Sequence, residues 1–147
     1  MSGREGVEPT GAIAPTDAEL RAFLSAKPVI AIVGASARIE RPSNGVMSDL
    51  LEAGYDVIPV NPNHAEVLGV RAYPDLASIP RHVDLVDVFR NLAYVPGVAR
   101  EAAAISARML WLQLGLVSPE ADRIAREAGM MLVMNRCLAV EHRRLFE

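Results

Sequence analysis

The stretch that decides the fold is residues 28–36, which read Pro28-Val29-Ile30-Ala31-Ile32-Val33-Gly34-Ala35-Ser36. In it a short apolar strand runs into a turn of small residues, and a helix pattern begins a few residues later. This order places backbone N–H groups and a helix N-terminus at the carboxyl end of a buried strand, an arrangement typical of phosphate sites in doubly wound α/β proteins. The stretch therefore indicates a nucleotide-like ligand.

Strand and helix patterns alternate along the rest of the chain. Strands are predicted at residues 29–33, 55–60, 70–73, 83–89, 109–114 and 130–134. Helices are predicted at residues 16–26, 44–53, 95–107, 118–128 and 138–146, the first of them begun by a capping box of Thr16 and Glu19. Near-continuous apolar strands separated by helices require a sheet that is covered on both faces. The sequence therefore predicts an α/β fold: a Rossmann-like, doubly wound, mostly parallel sheet with helices on both faces.

Composition limits the number of domains and the kinds of partner. Residues 1–15 are rich in Gly, Pro, Ser and Thr and are expected to be a flexible leader, whereas residues 16–147 suffice for a single domain. The net charge is −3 and like charges do not cluster, which argues against a nucleic-acid partner. Cys137 is the one cysteine and cannot form an internal disulfide, and no apolar run is long enough to cross a bilayer. We therefore expect a cytoplasmic protein with no membrane partner.

Small or polar residues follow nearly every predicted strand. Because the carboxyl ends of parallel strands share one edge of the sheet, these clusters should converge where ligands bind. Gly and Pro after a strand are also ordinary turn residues, so only the number of clusters favours a site. The clusters are Gly34-Ala35-Ser36, Asn61-Pro62-Asn63, Phe89-Arg90, Gln113-Leu114-Gly115 and Asn135-Arg136-Cys137.

The turn after the first strand departs from the dinucleotide fingerprint. That fingerprint needs three spaced glycines and an acidic residue at the end of the second strand, but only Gly34 is present and the second strand ends at Val60 and Asn61. The longer loop that replaces the glycines carries Arg38 and Arg41, whose guanidinium groups can each fork onto a phosphate. A ligand with more phosphate than NAD, such as a 3′-phosphorylated ADP, fits this loop, although solvated loop arginines are the alternative.

Six motifs, in their joint order and spacing, resemble a known family. They are Val33-Gly34-Ala35-Ser36, Glu40-Arg41-Pro42-Ser43, Pro59-Val60-Asn61-Pro62, residues 83–90, Trp111-Leu112-Gln113-Leu114-Gly115, and Asn135-Arg136-Cys137 with Glu141-His142. From about residue 22 to residue 146 the chain resembles the small stand-alone CoA-binding proteins, which are related to the CoA-binding domain of the succinyl-CoA synthetase alpha subunit.

The resemblance implies a Rossmann-like domain that binds coenzyme A. It implies that the glycine turn and the arginine loop contact the phosphates, and that the other clusters surround the adenosine and the pantetheine. The implied site residues are Gly34, Ala35, Ser36, Arg41, Pro42, Ser43, Val60, Asn61, Pro62, Phe89, Arg90, Gln113, Gly115, Asn135, Arg136 and Cys137. Asn135 stands where the family commonly has an aspartate, which removes a possible partner for Arg136.

The sequence offers little evidence of catalysis. It contains no zinc-binding histidine pair and no nucleophile elbow, and each of its histidines is interpreted as a surface or packing residue. Asp84 and Asp87 share a predicted strand but face opposite sides, and Asp87 is expected to accept hydrogen bonds from backbone groups near the sheet edge. We therefore expect a protein that binds coenzyme A or an acyl-CoA as a sensor or carrier, without a metal, and that would need a protein partner for any reaction.

Two alternatives to this function remain open. The chain could be an NAD(P)-binding oxidoreductase, or an adaptor whose nucleotide site is empty. Cys137 also has two interpretations, since a thiol after the last strand could be a small core residue or could exchange disulfides with the thiol of coenzyme A. Gly34 is expected to have a positive φ or to lie against the ligand.

Overall fold

A computed structural model describes residues 14–147, so most of the expected leader lies outside the described residues. The main sheet has five parallel strands, which are β1 (Val29–Val33), β2 (Asp56–Val60), β5 (Leu85–Val88), β6 (Met109–Leu112) and β7 (Met131–Val133). Across the sheet they lie in the order β2-β1-β5-β6-β7. The helices are α1 (Asp17–Ser25), α2 (Pro42–Glu52), α3 (Val95–Ala104), α4 (Pro119–Ala128) and α5 (Leu138–Phe146).

Helices cover both faces of the sheet, as the apolar strands predict. On one face α1, α2 and α5 pack against alternate strand residues, which include Ile32, Leu85 and Trp111. On the other face α3 and α4 pack against the intervening residues, such as Val33 and Val88. The predicted Rossmann-like α/β fold is therefore confirmed. None of the helices in residues 14–147 is long and apolar enough to cross a bilayer.

The segment between β2 and β5 differs from the prediction. The strand expected at residues 70–73 is confined to β4 (Val70–Arg71), which pairs antiparallel with β3 (Glu66–Val67) in a separate hairpin. Its turn consists of Leu68 and Gly69, both with positive φ, as a tight hairpin requires. After this hairpin Tyr73 lies against β2, where its N–H donates to the carbonyl of Pro59 at 3.1 Å.

Two helix starts show how local chemistry sets the boundaries. The capping box before α1 is confirmed, because the Glu19 N–H donates to Thr16 Oγ1 at 3.1 Å and the Thr16 N–H donates to Glu19 Oε1 at 2.9 Å. Helix α2 begins at Pro42, two residues earlier than predicted, since proline is favoured at the first position of a helix. This early start brings Ser43 and the N-terminus of α2 closer to the turn after β1.

Asp87 corrects one expectation about the central strand. It is fully buried on β5, in register between Ile32 and Trp111, and neither carboxyl oxygen has a hydrogen-bond partner within the described residues. The expectation that it accepts backbone hydrogen bonds is wrong, because β5 has a strand on each side and their amides are used in the sheet. Burial raises the pKa of the Asp87 carboxyl well above its usual range. The backbone acceptor is instead Asp84, whose Oδ2 accepts from the Val29 N–H at 2.8 Å.

Candidate functional site

The strand order places a crevice next to Gly34. The chain leaves β1 toward β2 through α2 on one face, whereas β5 and β6 are joined through α3 on the other face. The carboxyl ends of β1 and β5 therefore form the switch point at which open α/β sheets bind ligands.

A cavity of about 600 Å³ opens at this switch point. It extends along the carboxyl edge from the end of β2 to the end of β6. Its lining residues are Gly34, Ser36, Arg38, Arg41, Pro42, Ser43, Asn61, His64, Phe89, Arg90, Gln113, Leu114 and Leu116. The structure therefore brings most of the candidate residues from four separate strand ends to one cavity.

The glycine turn is packed against the neighbouring strand. Gly34 has a φ of +91°, and its N–H donates to the carbonyl of Val60 at 3.0 Å. A Cβ atom on Gly34 would stand 2.5 Å from the carbonyl oxygen of Phe89. The expectation of a positive φ is confirmed, and the close backbone approach is made to β5.

Side-chain amides hold the loop after the turn in place. The Asn61 amide donates to the carbonyl of Ala35 at 2.8 Å, and the Asn44 amide donates to the carbonyl of Ser36 at 3.0 Å. Ser36 Oγ in turn accepts from the Arg38 N–H at 3.1 Å. Because α2 and the end of β2 both anchor this loop, the protein's own hydrogen bonds hold the wall of the cavity beside α2 in place.

The charge of the cavity lining has one sign. Arg38, Arg41 and Arg90 line it, and no carboxylate does. Arg38 is paired with the exposed carboxylate of Glu40, and the Arg90 guanidinium lies 4.2 Å from the centre of the Tyr94 ring. Arg41 has no side-chain partner in residues 14–147 and precedes the first turn of α2, which carries no acidic residue. The guanidinium groups and the helix N-terminus together favour an anionic ligand.

The opposite end of the cavity is apolar. Phe89, Leu114 and Leu116 line it, and Leu114 is 63% exposed at the mouth. Gln113 is buried beside them, and its Oε1 has no hydrogen-bond partner within residues 14–147. The cavity thus changes from cationic near α2 to apolar near β6.

Residues 28–143 match the family model described as CoA binding domain. The chain belongs to this family. It is 41% identical over 128 residues to the uncharacterized protein YneT of Bacillus subtilis, a match that covers 87% of this chain and 95% of YneT. It is also 30% identical over 124 residues to acetate–CoA ligase [ADP-forming] I of Archaeoglobus fulgidus, which covers 76% of this chain but only 18% of the ligase.

Solved structures show the same fold. A hypothetical protein from Pyrococcus horikoshii OT3 superposes with a TM-score of 0.88 at 41% identity, covering 96% of this chain and all of that one. A Thermus thermophilus protein superposes with a TM-score of 0.86 at 40% identity and covers 90% of this chain.

Seven candidate residues of this CoA-binding domain lie outside the main cavity. Val60 and Pro62 line an adjoining cavity of about 250 Å³ on the α3 side, and Ala35 is buried beneath the turn. The others, which join the ends of β6 and β7, are Gly115, Asn135, Arg136 and Cys137.

Hydrogen bonds connect the segment after β6, which contains Gly115, with the segment after β7, which contains Asn135, Arg136 and Cys137. Asn135 Oδ1 accepts from the Gly115 N–H at 2.7 Å, and Trp111 Nε1 donates to the carbonyl of Arg136 at 2.8 Å. Arg136 does have a carboxylate partner, Glu141, at 3.5 Å. Cys137 is half-buried against the apolar face that α1, α2 and α5 cover.

Four lining residues of the CoA-binding domain are absent from the implied site residues. One is Arg38, which the sequence indicates only as a loop arginine that could bind a phosphate. His64, Leu114 and Leu116 all line the cavity. A signal for each was present, because His64 leaves β2 just after Asn61, and the leucines flank Gly115 directly after β6. The cavity lining thus extends up to four residues beyond the ends of β2 and β6.

Proposed function

We propose that the chain binds coenzyme A in the cavity at the carboxyl edge of the sheet and acts as a sensor or carrier of it. The observation that carries this proposal is the change along the cavity from a cationic end to an apolar end. Coenzyme A has the same polarity, since its phosphates lie at one end of the molecule and its pantetheine thiol lies at the other.

The cationic end suits the phosphates. Arg41 stands at the N-terminus of α2 and has no side-chain partner among residues 14–147, while Arg38 and Arg90 also line the cavity. Coenzyme A carries a 3′-phosphate in addition to its diphosphate, so several guanidinium groups have phosphate oxygens to bind. The end of β2 offers no carboxylate for a nicotinamide dinucleotide, because Asn61 stands there and its amide is bonded to Ala35.

The apolar end suits the pantetheine arm. Parallel strands lie about 4.8 Å apart, so the end of β6 is about 10 Å from the end of β1. An extended ligand with its phosphates over Gly34 therefore passes over Phe89 and reaches Gln113. The pantetheine amides supply N–H donors at this end, and a buried acceptor such as Gln113 Oε1 gains most from a new donor.

The lining supports binding in preference to catalysis. Within residues 14–147 it contains neither a carboxylate nor a cysteine, and His64 is its one histidine. Acetate–CoA ligase [ADP-forming] I of Archaeoglobus fulgidus is a much longer chain, of which the match covers 18%. Any reactive groups would therefore come from outside this lining, and a protein partner is the source that we propose.

Titration calorimetry tests the proposal. We expect coenzyme A to bind and NAD not to bind, and mass spectrometry of gently purified protein to detect retained coenzyme A. Binding of NAD alone would identify a dinucleotide enzyme, and binding of neither would identify an adaptor with an empty site.

Arg41→Ala is expected to weaken the binding of coenzyme A by about 1.5–3 kcal/mol, the contribution of a hydrogen bond to a charged group. Calorimetric titration of both proteins measures this difference. Arg81→Ala is the matched control, because Arg81 pairs with Asp56 at the start of β2, on the edge opposite the cavity. Unchanged affinity in the Arg41 variant would remove this residue from the site.

Cys137 is expected to stay unmodified when the protein is incubated with CoA disulfide, because its side chain is half-buried against the apolar face and does not line the cavity. Mass spectrometry should show the mass of the unmodified chain after hours at mildly alkaline pH. The contrary result would be a mixed disulfide of one CoA per chain, formed when the Cys137 sulfur attacks one sulfur of the CoA disulfide and releases one CoA thiol. Such an adduct, removed by a reductant and lacking in Cys137→Ser, would place the thiol of coenzyme A near the end of β7.

A further inference from the structure

The turn after β6 presents an apolar surface at the mouth of the cavity. Leu114 is 63% exposed and Val117 is 50% exposed, while Leu116 lines the cavity between them. No charged residue occurs between Arg108 and Glu120. Large apolar side chains that are grouped at the mouth of a polar site commonly mark a surface that becomes covered on binding.

Hydrogen bonds on both sides fix this turn in place. The Leu116 N–H donates to the carbonyl of Gln113 at 2.9 Å, which closes the turn. The Gly115 N–H donates to Asn135 Oδ1 at 2.7 Å, which ties the turn to the end of β7. Because the backbone of the turn is fixed by these bonds, the Leu114 side chain is held in its exposed position.

The position of the turn indicates what covers it. Leu114 and Leu116 line the same cavity as Arg38 and Arg41, at its other end. A ligand whose phosphates lie over the N-terminus of α2 directs its opposite end across β5 and out over this turn. An apolar group on that end would cover Leu114 and Val117, whereas a bare thiol would leave them in water.

We propose that the ligand is an acyl-CoA with a short aliphatic chain, and that Leu114 selects it over free coenzyme A by packing against the acyl carbons. This inference rests on the proposed function, because the acyl chain reaches the turn only when the phosphates occupy the cationic end. An acyl-CoA binds more tightly than coenzyme A because its acyl carbons and the Leu114 side chain remove apolar area from water when they pack together.

Calorimetric titration with coenzyme A, acetyl-CoA and hexanoyl-CoA tests the inference. A fully buried methylene is worth about fourfold in affinity, and a half-buried one about twofold. We therefore expect hexanoyl-CoA to bind at least about tenfold more tightly than coenzyme A, with acetyl-CoA in between. Equal affinities of coenzyme A and hexanoyl-CoA would overturn the inference while leaving the proposed function intact, whereas no binding of any of the three would overturn both.

Leu114→Ser assigns the effect to the turn. It should bring the ratio of the hexanoyl-CoA affinity to the coenzyme A affinity close to one, whatever its effect on the affinity for coenzyme A itself. The fold should persist, since the Leu114 side chain is exposed. Val140→Ser is the matched control, because Val140 is 48% exposed on α5 and does not line the cavity, and it should keep the full gain. A gain that survives in Leu114→Ser overturns the inference. So does a loss of self-association in Leu114→Ser, seen by size-exclusion chromatography, without a change in ligand selectivity.

Discussion

Gly34→Ala is expected to lower the free energy of unfolding by about 2–5 kcal/mol. A positive φ costs a residue with a Cβ about 1–2 kcal/mol, and Gly34 has a φ of +91°. Its Cβ would also stand 2.5 Å from the carbonyl oxygen of Phe89, which is backbone and cannot rotate away. Overpacking of this kind adds about 1–3 kcal/mol. Urea unfolding followed by circular dichroism measures the total.

Gly69→Ala separates the two contributions to this loss. Gly69 has a φ of +78°, but no atom lies within 4 Å of the position of its Cβ. Only the backbone cost should therefore appear in Gly69→Ala, about 1–2 kcal/mol. If Gly34→Ala is destabilised no more than Gly69→Ala, the close approach of the turn to β5 is refuted. Gly34→Val should be worse than Gly34→Ala, because it adds a branched side chain at the same position.

Asp87→Asn is expected to remove a large pH dependence of stability. The folded protein raises the pKa of this carboxyl by burying it, so between the unfolded and the folded pKa the native state binds more protons than the unfolded state. The stability of the original protein should therefore fall as the pH rises above about 4, the ordinary pKa of aspartate. The loss continues as the pH rises toward the raised pKa of the folded protein and levels off above it.

Denaturant unfolding of both proteins from pH 4 to pH 8 measures this difference. Asparagine does not titrate, so the stability of Asp87→Asn relative to the original protein should increase steadily with pH. Asp49→Asn is the matched control, since Asp49 forms an exposed pair with Arg143 and such pairs contribute about 0–1 kcal/mol. Parallel stability curves for the original protein and Asp87→Asn would show that Asp87 is not protonated by burial.

The fold could be predicted because its strands are short apolar runs between clear stop signals. Strand β1 occupies the predicted residues 29–33, bounded by Pro28 and Gly34. The segment at residues 61–80 could not be predicted in the same way, because strands of two residues, such as β3 and β4, show no periodicity. Their pairing depends on the positive φ of Leu68, which its residue type does not indicate.

From the sequence, the candidate site could be located to the carboxyl edge of the sheet but not to particular strand ends along that edge. Chain order shows that every strand end reaches this edge, but the distance between strand ends depends on the strand order, which the sequence does not give. The cluster at Asn135 follows β7, three strands from β1 and thus about 14 Å away. The full burial of Asp87 could not be predicted for the same reason. The sequence shows an aspartate in an apolar strand, but it does not show that β5 is the central strand of the sheet.

The segment around Tyr73, which follows the hairpin of β3 and β4, affects how two molecules of this protein can associate. Strand β2 is an edge of the main sheet, yet Tyr73 is bonded along it and Pro59 has no N–H to offer. At the other edge, β7 is three residues long. Neither edge presents a long row of free backbone groups on which a strand from another molecule could add. Strand-to-strand aggregation is thus disfavoured, and contacts between molecules are left to helix faces and to the side chains around the cavity.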